Sequence, residues 1–315
     1  MPTNIKISQA SKIAGGLIGL LVGDALGVPY EFHHKDTLPK LDNIEFVPPQ
    51  GFNRSHNNVA PGTWSDDGAQ ALCLLASLLH CNKLDMQDFA TRMLNWYEYG
   101  YMAVDHHVFD VGNATARGLN AFKDGTSPLL SGGLDEDSHG NGALMRVLPL
   151  ALWHRGSDLA LIEDAGRQAC VTHAQPRSQL CCALYCLTAR ALLRDNNDPW
   201  GYAVEKVYNY AKNNERLLAE LECSIRPMEN IEPEGSGYVV DSLRAARKAL
   251  SFDDYQSAVR YGVSLGDDTD TTAAIMGGIS GIKLGLGDIP VHWFEDLLGK
   301  SIYKPLLDQL LLQVA

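Results

Sequence analysis

Positions 267–272 hold Asp267, Asp268, Thr269, Asp270, Thr271 and Thr272 in succession, directly before an apolar run from Ala273 to Leu284. An Asp or Thr at a helix start caps orphan N–H groups and complements the helix dipole, a task that needs one such residue or two. This many oxygen-bearing side chains in a row repel one another unless a cation sits among them. The same grammar recurs in "GTWSDDGAQALCLLASLL", where Ser65, Asp66 and Asp67 precede a second amphipathic stretch. Carboxylate and hydroxyl oxygens are the ligands that hard divalent cations prefer. Asp66, Asp67, Asp268 and Asp270 together would be neutralised by two such ions. From the residues alone, capping and a binuclear site both remain open.

Other motifs fail on spacing or context. An EF-hand loop opening at Asp268 needs Gly at its sixth position and Glu at its twelfth, where Ala273 and Ile279 stand. The triplet Asp268-Thr269-Asp270 also occurs in nucleotide-sugar transferases, but on α/β scaffolds that this chain does not show. Asp105-His106-His107 matches a phosphoesterase signature over three residues only, and surface histidines account for it more simply. No glycine-rich strand-to-helix phosphate loop is present. Glu31, in "GDALGVPYEF", follows an apolar segment that contains Asp24. A loop Glu is ordinarily solvated, and His173, in "VTHAQP", reads first as a satisfied histidine at a helix end. Residues 109–119, 140–152 and 235–243 each place small residues before a helical pattern, where free backbone N–H groups bind phosphate or sugar oxygens.

The elements that must position these groups are helical. Apolar residues recur at i, i+3, i+4 and i+7 in residues 69–79, 86–99, 143–154, 158–172, 178–194, 200–221, 239–250, 253–264, 271–285 and 291–312. Period-2 runs of β-branched residues are scarce, so the fold class is all-α. Residues 13–27, "IAGGLIGLLVGDALG", follow Lys6 and Lys12 in the manner of a signal peptide. However, glycines at 16, 19, 23 and 27 form a helical stripe and Asp24 interrupts the apolar run. The segment therefore reads as a buried helix whose glycine face admits a second helix. Stretches 32–64, 124–142 and 223–237 are irregular; loops of this length in a compact helical protein are usually functional. Composition does not shift between segments, so residues 1–315 read as one domain.

With 315 residues, 45% of them hydrophobic, the chain can bury a large core. Its net charge of −12 argues against a surface that tracks nucleic-acid phosphates or anionic membranes. Seven cysteines, among apolar neighbours and without zinc-site spacing, fit a reduced, cytoplasmic protein.

Taken in order, "GLIGLLVGDALGVPYEF", "WSDD", "FDVGNAT", "GNGALMRVLPLAL", "TH", "GSGYVVDSL" and "GDDTDTTAAIMGGISG" resemble the ADP-ribosylglycohydrolase family, from residue 15 to about residue 285. The resemblance implies an all-α orthogonal multi-helix bundle with two Mg²⁺ or Mn²⁺ ions at the base of a cleft. It implies Ser65, Asp66, Asp67, Asp268, Asp270 and Thr271 as metal ligands. Asn141, Gly142, Met145 and His173 would line the ADP-ribose cleft. Asp110, Asn113, Gly237 and Tyr238 would surround the distal ribose and the leaving group. Glu31 falls near the metals and the scissile bond, and with Asp67 is the candidate to orient or deprotonate the attacking water; ring opening through Asp110 is the alternative. Three positions depart from the family pattern: Ser65 where Thr is common, Gly68 where Thr is frequent, and Asp267 where Gly is frequent.

The implied reaction is hydrolytic removal of ADP-ribose from an ADP-ribosylated protein. Arginine is the favoured linkage, because "FDVGNAT" and "SGYVVD" resemble the arginine-directed branch and an acidic cleft suits a guanidinium. Serine-linked ADP-ribose, O-acetyl-ADP-ribose, an ADP-ribosylated nucleic acid, or a non-catalytic ADP-ribose-binding role are the alternatives.

Overall fold

A computed structural model describes residues 7–135 and 138–314; Lys6 and the Glu136–Asp137 pair of the second irregular stretch lie outside them. The described chain is helical, its only β-type pairings being isolated bridges. The helices are α1 (Gln9–Gly27), α2 (Asp66–Cys81), α3 (Met86–Tyr99), α4 (Asn113–Lys123), α5 (Leu148–Trp153), α6 (Asp158–Ala169), α7 (Pro176–Leu193), α8 (Pro199–Ala211), α9 (Glu215–Ala219), α10 (Val239–Ala249), α11 (Tyr255–Ser264), α12 (Thr269–Leu284), α13 (Val291–Asp296) and α14 (Lys300–Val314). Two expected helices are divided. The 200–221 pattern breaks between Ala211 and Glu215, and the 291–312 pattern breaks before Lys300. At the second break Gly299 has φ +66°, and a Cβ there would lie within 2.1 Å of the Trp64 ring, so the chain turns where only glycine fits. The 143–154 pattern becomes regular helix only from Leu148.

Helices α1 and α12 form the centre of the core, running antiparallel with almost every residue buried. Their closeness comes from glycine. A Cβ on Gly277 would stand 2.3 Å from the Gly19 carbonyl oxygen, and one on Gly27 would stand 2.3 Å from the Asp270 Cα. The stripe in closest contact is 15, 19, 23 and 27, whereas Gly16 meets the Ile282 side chain. Tyr255 of α11 donates to the Gly19 carbonyl at 2.6 Å, and Tyr185 of α7 donates to the Ile275 carbonyl at 3.0 Å, so two phenols clamp this pair from other helices. By length and hydropathy α1 could cross a membrane, yet its apolar surface is wholly covered by other helices. The antiparallel arrangement brings the C-terminal end of α1, with Asp24 and Glu31, to the N-terminal end of α12. All seven cysteines are free, four of them buried.

Candidate active site

Beneath a cleft of about 630 Å³ the first turns of α2 and α12 meet. Ser65 is the N-cap of α2 and its hydroxyl accepts from the Asp67 N–H at 3.4 Å. The principal cap of that helix comes from elsewhere. The Asp24 carboxylate, on α1, accepts from the Ser65 N–H at 2.8 Å and from the Gly68 N–H at 2.7 Å. Burial, offset by these bonds and reinforced by Asp110, pushes the Asp24 carboxyl up to about 7. This cross-helix cap fixes the turn that carries Asp66 and Asp67.

Asp268 occupies the N-cap position of α12 without capping it. Its Oδ2 instead accepts from the Asn141 side chain at 2.7 Å, which also donates to Ser242 at 2.9 Å. Simple capping therefore does not explain the aspartate turn. Asp67 Oδ2 accepts from the Ser65 and Thr271 hydroxyls at 3.2 and 3.3 Å, while Asp67 Oδ1 and Asp270 Oδ2 are buried with no partner. Burial, followed by the charges of their neighbours, drives the carboxyls of Asp66, Asp67 and Asp270 well above the ordinary range, and burial raises Asp268 as well. Orphaned carboxylate oxygens beside hydroxyls are a donor set suited to hard divalent cations. Oxygens of Glu31, Asp268 and Asp270 lie within 4.8 Å of one another, close enough to share an ion.

Asp66 Oδ2 accepts from the Gln70 amide at 2.7 Å, and Gln70 accepts from the fully buried Arg146 at 3.0 Å. Arg146 also donates twice to Gln168, through the side-chain oxygen and the carbonyl, both at 3.1 Å. Burial lowers its guanidinium to about 10, leaving it charged at neutral pH.

Glu31 and Asp110 face each other over the cluster. Burial, with Asp110, Asp268 and Asp66 nearby, raises the Glu31 carboxyl to about 10, and Asp110 is raised by burial and Asp268 to about 6. Burial and mutual repulsion thus favour the protonated form of each carboxyl. His56, from the long loop after α1, meets Glu31 Oε2 through Nε2 at 2.6 Å and rests between the rings of Phe32 and Phe109 at 5.7 and 5.0 Å.

The cleft wall contains Asn113, Asn141, Gly142, Met145 and His173. No side chain caps the N-terminus of α4, so N–H groups of its first turn are free beside the cleft at Asn113. His173 contacts the Thr172 hydroxyl through Nδ1 at 2.7 Å, and burial with Arg146 and Arg117 lowers it to about 3. It is a neutral hydrogen-bonding group here. A Cβ on Gly142 would stand 2.8 Å from the His173 ring, so glycine permits that approach.

Gly237 and Tyr238 stand beside the cleft residues: a Cβ on Gly237 would lie 3.2 Å from Asp268 Oδ2, and Tyr238 bridges to Gly140. The Gly237 carbonyl accepts from the Asn141 N–H at 3.1 Å, and the Tyr238 hydroxyl accepts from Arg177 at 3.0 Å. Gly237 thereby helps to hold Asn141 in place. The Asp105-His106-His107 triplet is exposed and away from the cleft. Sequence reasoning missed the roles of Asp24, His56 and Arg146. Two of them carried a usable signal, a lone charge inside an apolar helical run, because a buried charge must find a partner.

A family model described as ADP-ribosylglycohydrolase matches residues 6–315. A relative from Serratia proteamaculans, ADP-ribosylarginine hydrolase Tri1, is 30% identical over 303 residues, covering 95% of this chain and 78% of its own length. The ADP-ribosyl-dinitrogen reductase glycohydrolase of Rhodospirillum rubrum is 28% identical over 292 residues, covering 92% and 91%. A solved structure titled ADP-ribosylglycohydrolase-related protein complex superposes with a TM-score of 0.77 at 30% identity, covering 98% of this chain and 99% of that one. With this agreement along nearly its whole length, the chain belongs to the ADP-ribosylglycohydrolase family.

Proposed function

We propose that this hydrolase removes ADP-ribose from ADP-ribosylated protein side chains, with arginine as the favoured linkage. What carries the reading is one observation: two orphaned carboxylate oxygens, Asp67 Oδ1 and Asp270 Oδ2, buried under a cleft that Glu31 and Asp110 also line. Relatives named as arginine-directed hydrolases support the choice of linkage.

Ser65, Asp66, Asp67, Asp268, Asp270 and Thr271 would hold two divalent cations, Mg²⁺ or Mn²⁺, whose contribution is to stabilise charge on the distal ribose as the glycosidic bond breaks. The free N–H groups of the first turn of α4, at Asn113, suit the pyrophosphate. Asn141, Gly142, Met145 and neutral His173 shape the wall against which the nucleotide lies. Cleavage breaks the bond between the anomeric carbon and the guanidine nitrogen, and the electron pair leaves with nitrogen. Water attacks the oxocarbenium-like carbon and gives up its proton. The facing Glu31 and Asp110 carboxyls are placed to supply the acid and the base such a step needs. Asp67 is fully buried below the cleft with both hydroxyl partners on Oδ2, so we assign it to the cations rather than to the water.

The test is release of free ADP-ribose from an ADP-ribosylarginine protein and, in parallel, an ADP-ribosylserine peptide, with Mg²⁺ or Mn²⁺ and with chelator. Release from the arginine substrate that requires the cation and disappears in Asp268→Ala is the expected result. Full activity in Asp268→Ala, or in chelator, overturns the site; release from serine alone overturns the linkage.

A further inference from the structure

Three residues lining the cleft are held in backbone conformations that non-glycine residues seldom adopt, one of them Asp110 with φ +52°. Phe32 has φ +63° and Asp267 has φ +54°. The two are tied together: the Phe32 N–H donates to the Asp267 carbonyl at 2.7 Å, and the Asp267 N–H donates to the His33 carbonyl at 2.8 Å. A bridge between His34 and Gly266 extends this pairing by a further step. The loop leaving α1 and the turn entering α12 thus lock each other, and strain that over-determined hydrogen bonding maintains is characteristic of ligand sites. What the strain presents is a pair of side chains lining one cleft. The Phe32 ring is 70% exposed, and the exposed Asp267 carboxylate makes no hydrogen bond or ion pair among the described residues.

The chemistry of the pair identifies its ligand. Among the described residues the cleft is lined by Glu31, Asp66, Asp110, Asp267 and Asp268 and by no Lys or Arg. Glu31 meets His56, Asp66 accepts from Gln70 and Asp268 accepts from Asn141, whereas the Asp267 carboxylate has no such partner among the described residues. An aromatic face beside a free carboxylate complements a planar cation, which can stack on the ring and donate two parallel hydrogen bonds. Phe32 directly follows Glu31 and Asp267 directly precedes Asp268, so the pair borders the groups assigned to the scissile bond. The part of the substrate that starts at that bond is the modified side chain.

We propose that Phe32 and Asp267 form a subsite for the cationic side chain that bears ADP-ribose, a guanidinium, and thereby set a preference over neutral, hydroxyl-linked substrates. The inference rests on the hydrolase reading above. Its test is calorimetry on the full chain with Mg²⁺, titrated first with ADP-ribose and then, at saturating ADP-ribose, with agmatine and with carbamoylputrescine, the isostere that keeps the ammonium and replaces the guanidinium by a neutral urea. The wild-type protein should bind agmatine at least about tenfold more tightly than the urea, the range expected for a charge-assisted pair. Asp267→Asn and Asp267→Gly should both erase that difference, and Phe32→Leu should reduce it. Asn tolerates a positive φ and Gly prefers it, so both variants keep the fold and a loss of discrimination is not a loss of structure. Equal affinity of wild type for the two compounds, or unchanged discrimination in both Asp267 variants, overturns the subsite while leaving the hydrolase intact. Absence of ADP-ribose binding in the first titration instead refutes the hydrolase reading, and the subsite with it.

Discussion

Replacing Asp24 by alanine is expected to destabilise the protein and to weaken its cation site, although Asp24 is not placed among the ligands. Its two oxygens accept the Ser65 and Gly68 N–H groups at 2.8 and 2.7 Å, all within the buried start of α2. Each buried donor left without an acceptor costs about 1–3 kcal/mol, so two cost about 2–6. Relief of carboxyl burial and of repulsion from Asp110, the terms that raise Asp24 to about 7, offsets a part. The expected net loss is about 1–4 kcal/mol for Asp24→Ala. Asp24→Asn preserves shape but offers one acceptor and turns an NH₂ group toward the second N–H, for a loss of about 2–3 kcal/mol. Denaturant titration in chelator measures both. Mg²⁺ added to the same samples should raise the melting temperature less in either variant than in wild type, because the turn carrying Asp66 and Asp67 has lost its anchor. An Asn variant within about 0.5 kcal/mol of wild type, with an undiminished Mg²⁺ shift, refutes the idea that Asp24 positions this turn.

His56→Ala should lower kcat/KM by about 10–100-fold while leaving the Mg²⁺ melting shift in place, since His56 fixes the Glu31 side chain and no more; His56→Gln should recover part of the loss. Gly277→Ala should cost at least about 1–3 kcal/mol and reduce activity together with stability, because the added methyl meets the Gly19 carbonyl at 2.3 Å and forces α1 from α12; a variant with wild-type melting temperature contradicts that packing. In chelator, stability should fall as pH rises: Asp24, Asp110 and Glu31, at about 7, 6 and 10 in the fold, all lie above their ordinary values, so the fold binds protons that the unfolded chain has released. That stabilisation is complete below about pH 4 and is lost progressively as pH passes through about 6, 7 and then 10, a slope that Mg²⁺ should flatten and that a melting series from pH 5 to pH 9 would detect.

Much of the site was legible because its charges are adjacent in the chain. Ser65-Asp66-Asp67 and Asp268-Thr269-Asp270-Thr271 announce themselves as clusters, and the structure brings both turns under one cleft. The glycine stripe announced the α1 contact, and the structure supplied its partner, which no periodicity within α1 could name. His56 was not legible at all. It reaches Glu31 only because the 55–59 segment folds back, with the Ser55 N–H donating to the Pro29 carbonyl at 2.9 Å, and nothing in the surrounding loop predicts that return. For Tyr238 the motif was legible but its partner was not, since the hydroxyl accepts from Arg177, a residue 61 positions away in the chain.

The relation between Asp66 and Arg146 explains how so acidic a centre remains available to cations. A guanidinium in direct contact with Asp66 would form a strong bidentate pair and occupy the oxygens that a metal requires. Here Gln70 stands between them, accepting from Arg146 at 3.0 Å and donating to Asp66 Oδ2 at 2.7 Å. The neutral amide transmits orientation without taking up the carboxylate charge. Arg146 meanwhile satisfies its own donors on Gln168 and Gln70, the condition for burying a guanidinium at all. Its field still reaches Asp66, so one fixed positive charge eases the repulsion among the carboxylates while Asp66 Oδ1 stays unclaimed by that chain. The same division appears at Asp268, where neutral Asn141 orients Oδ2. In both turns neutral amides aim the carboxylates and leave their negative charge uncompensated, as the proposed cation site requires.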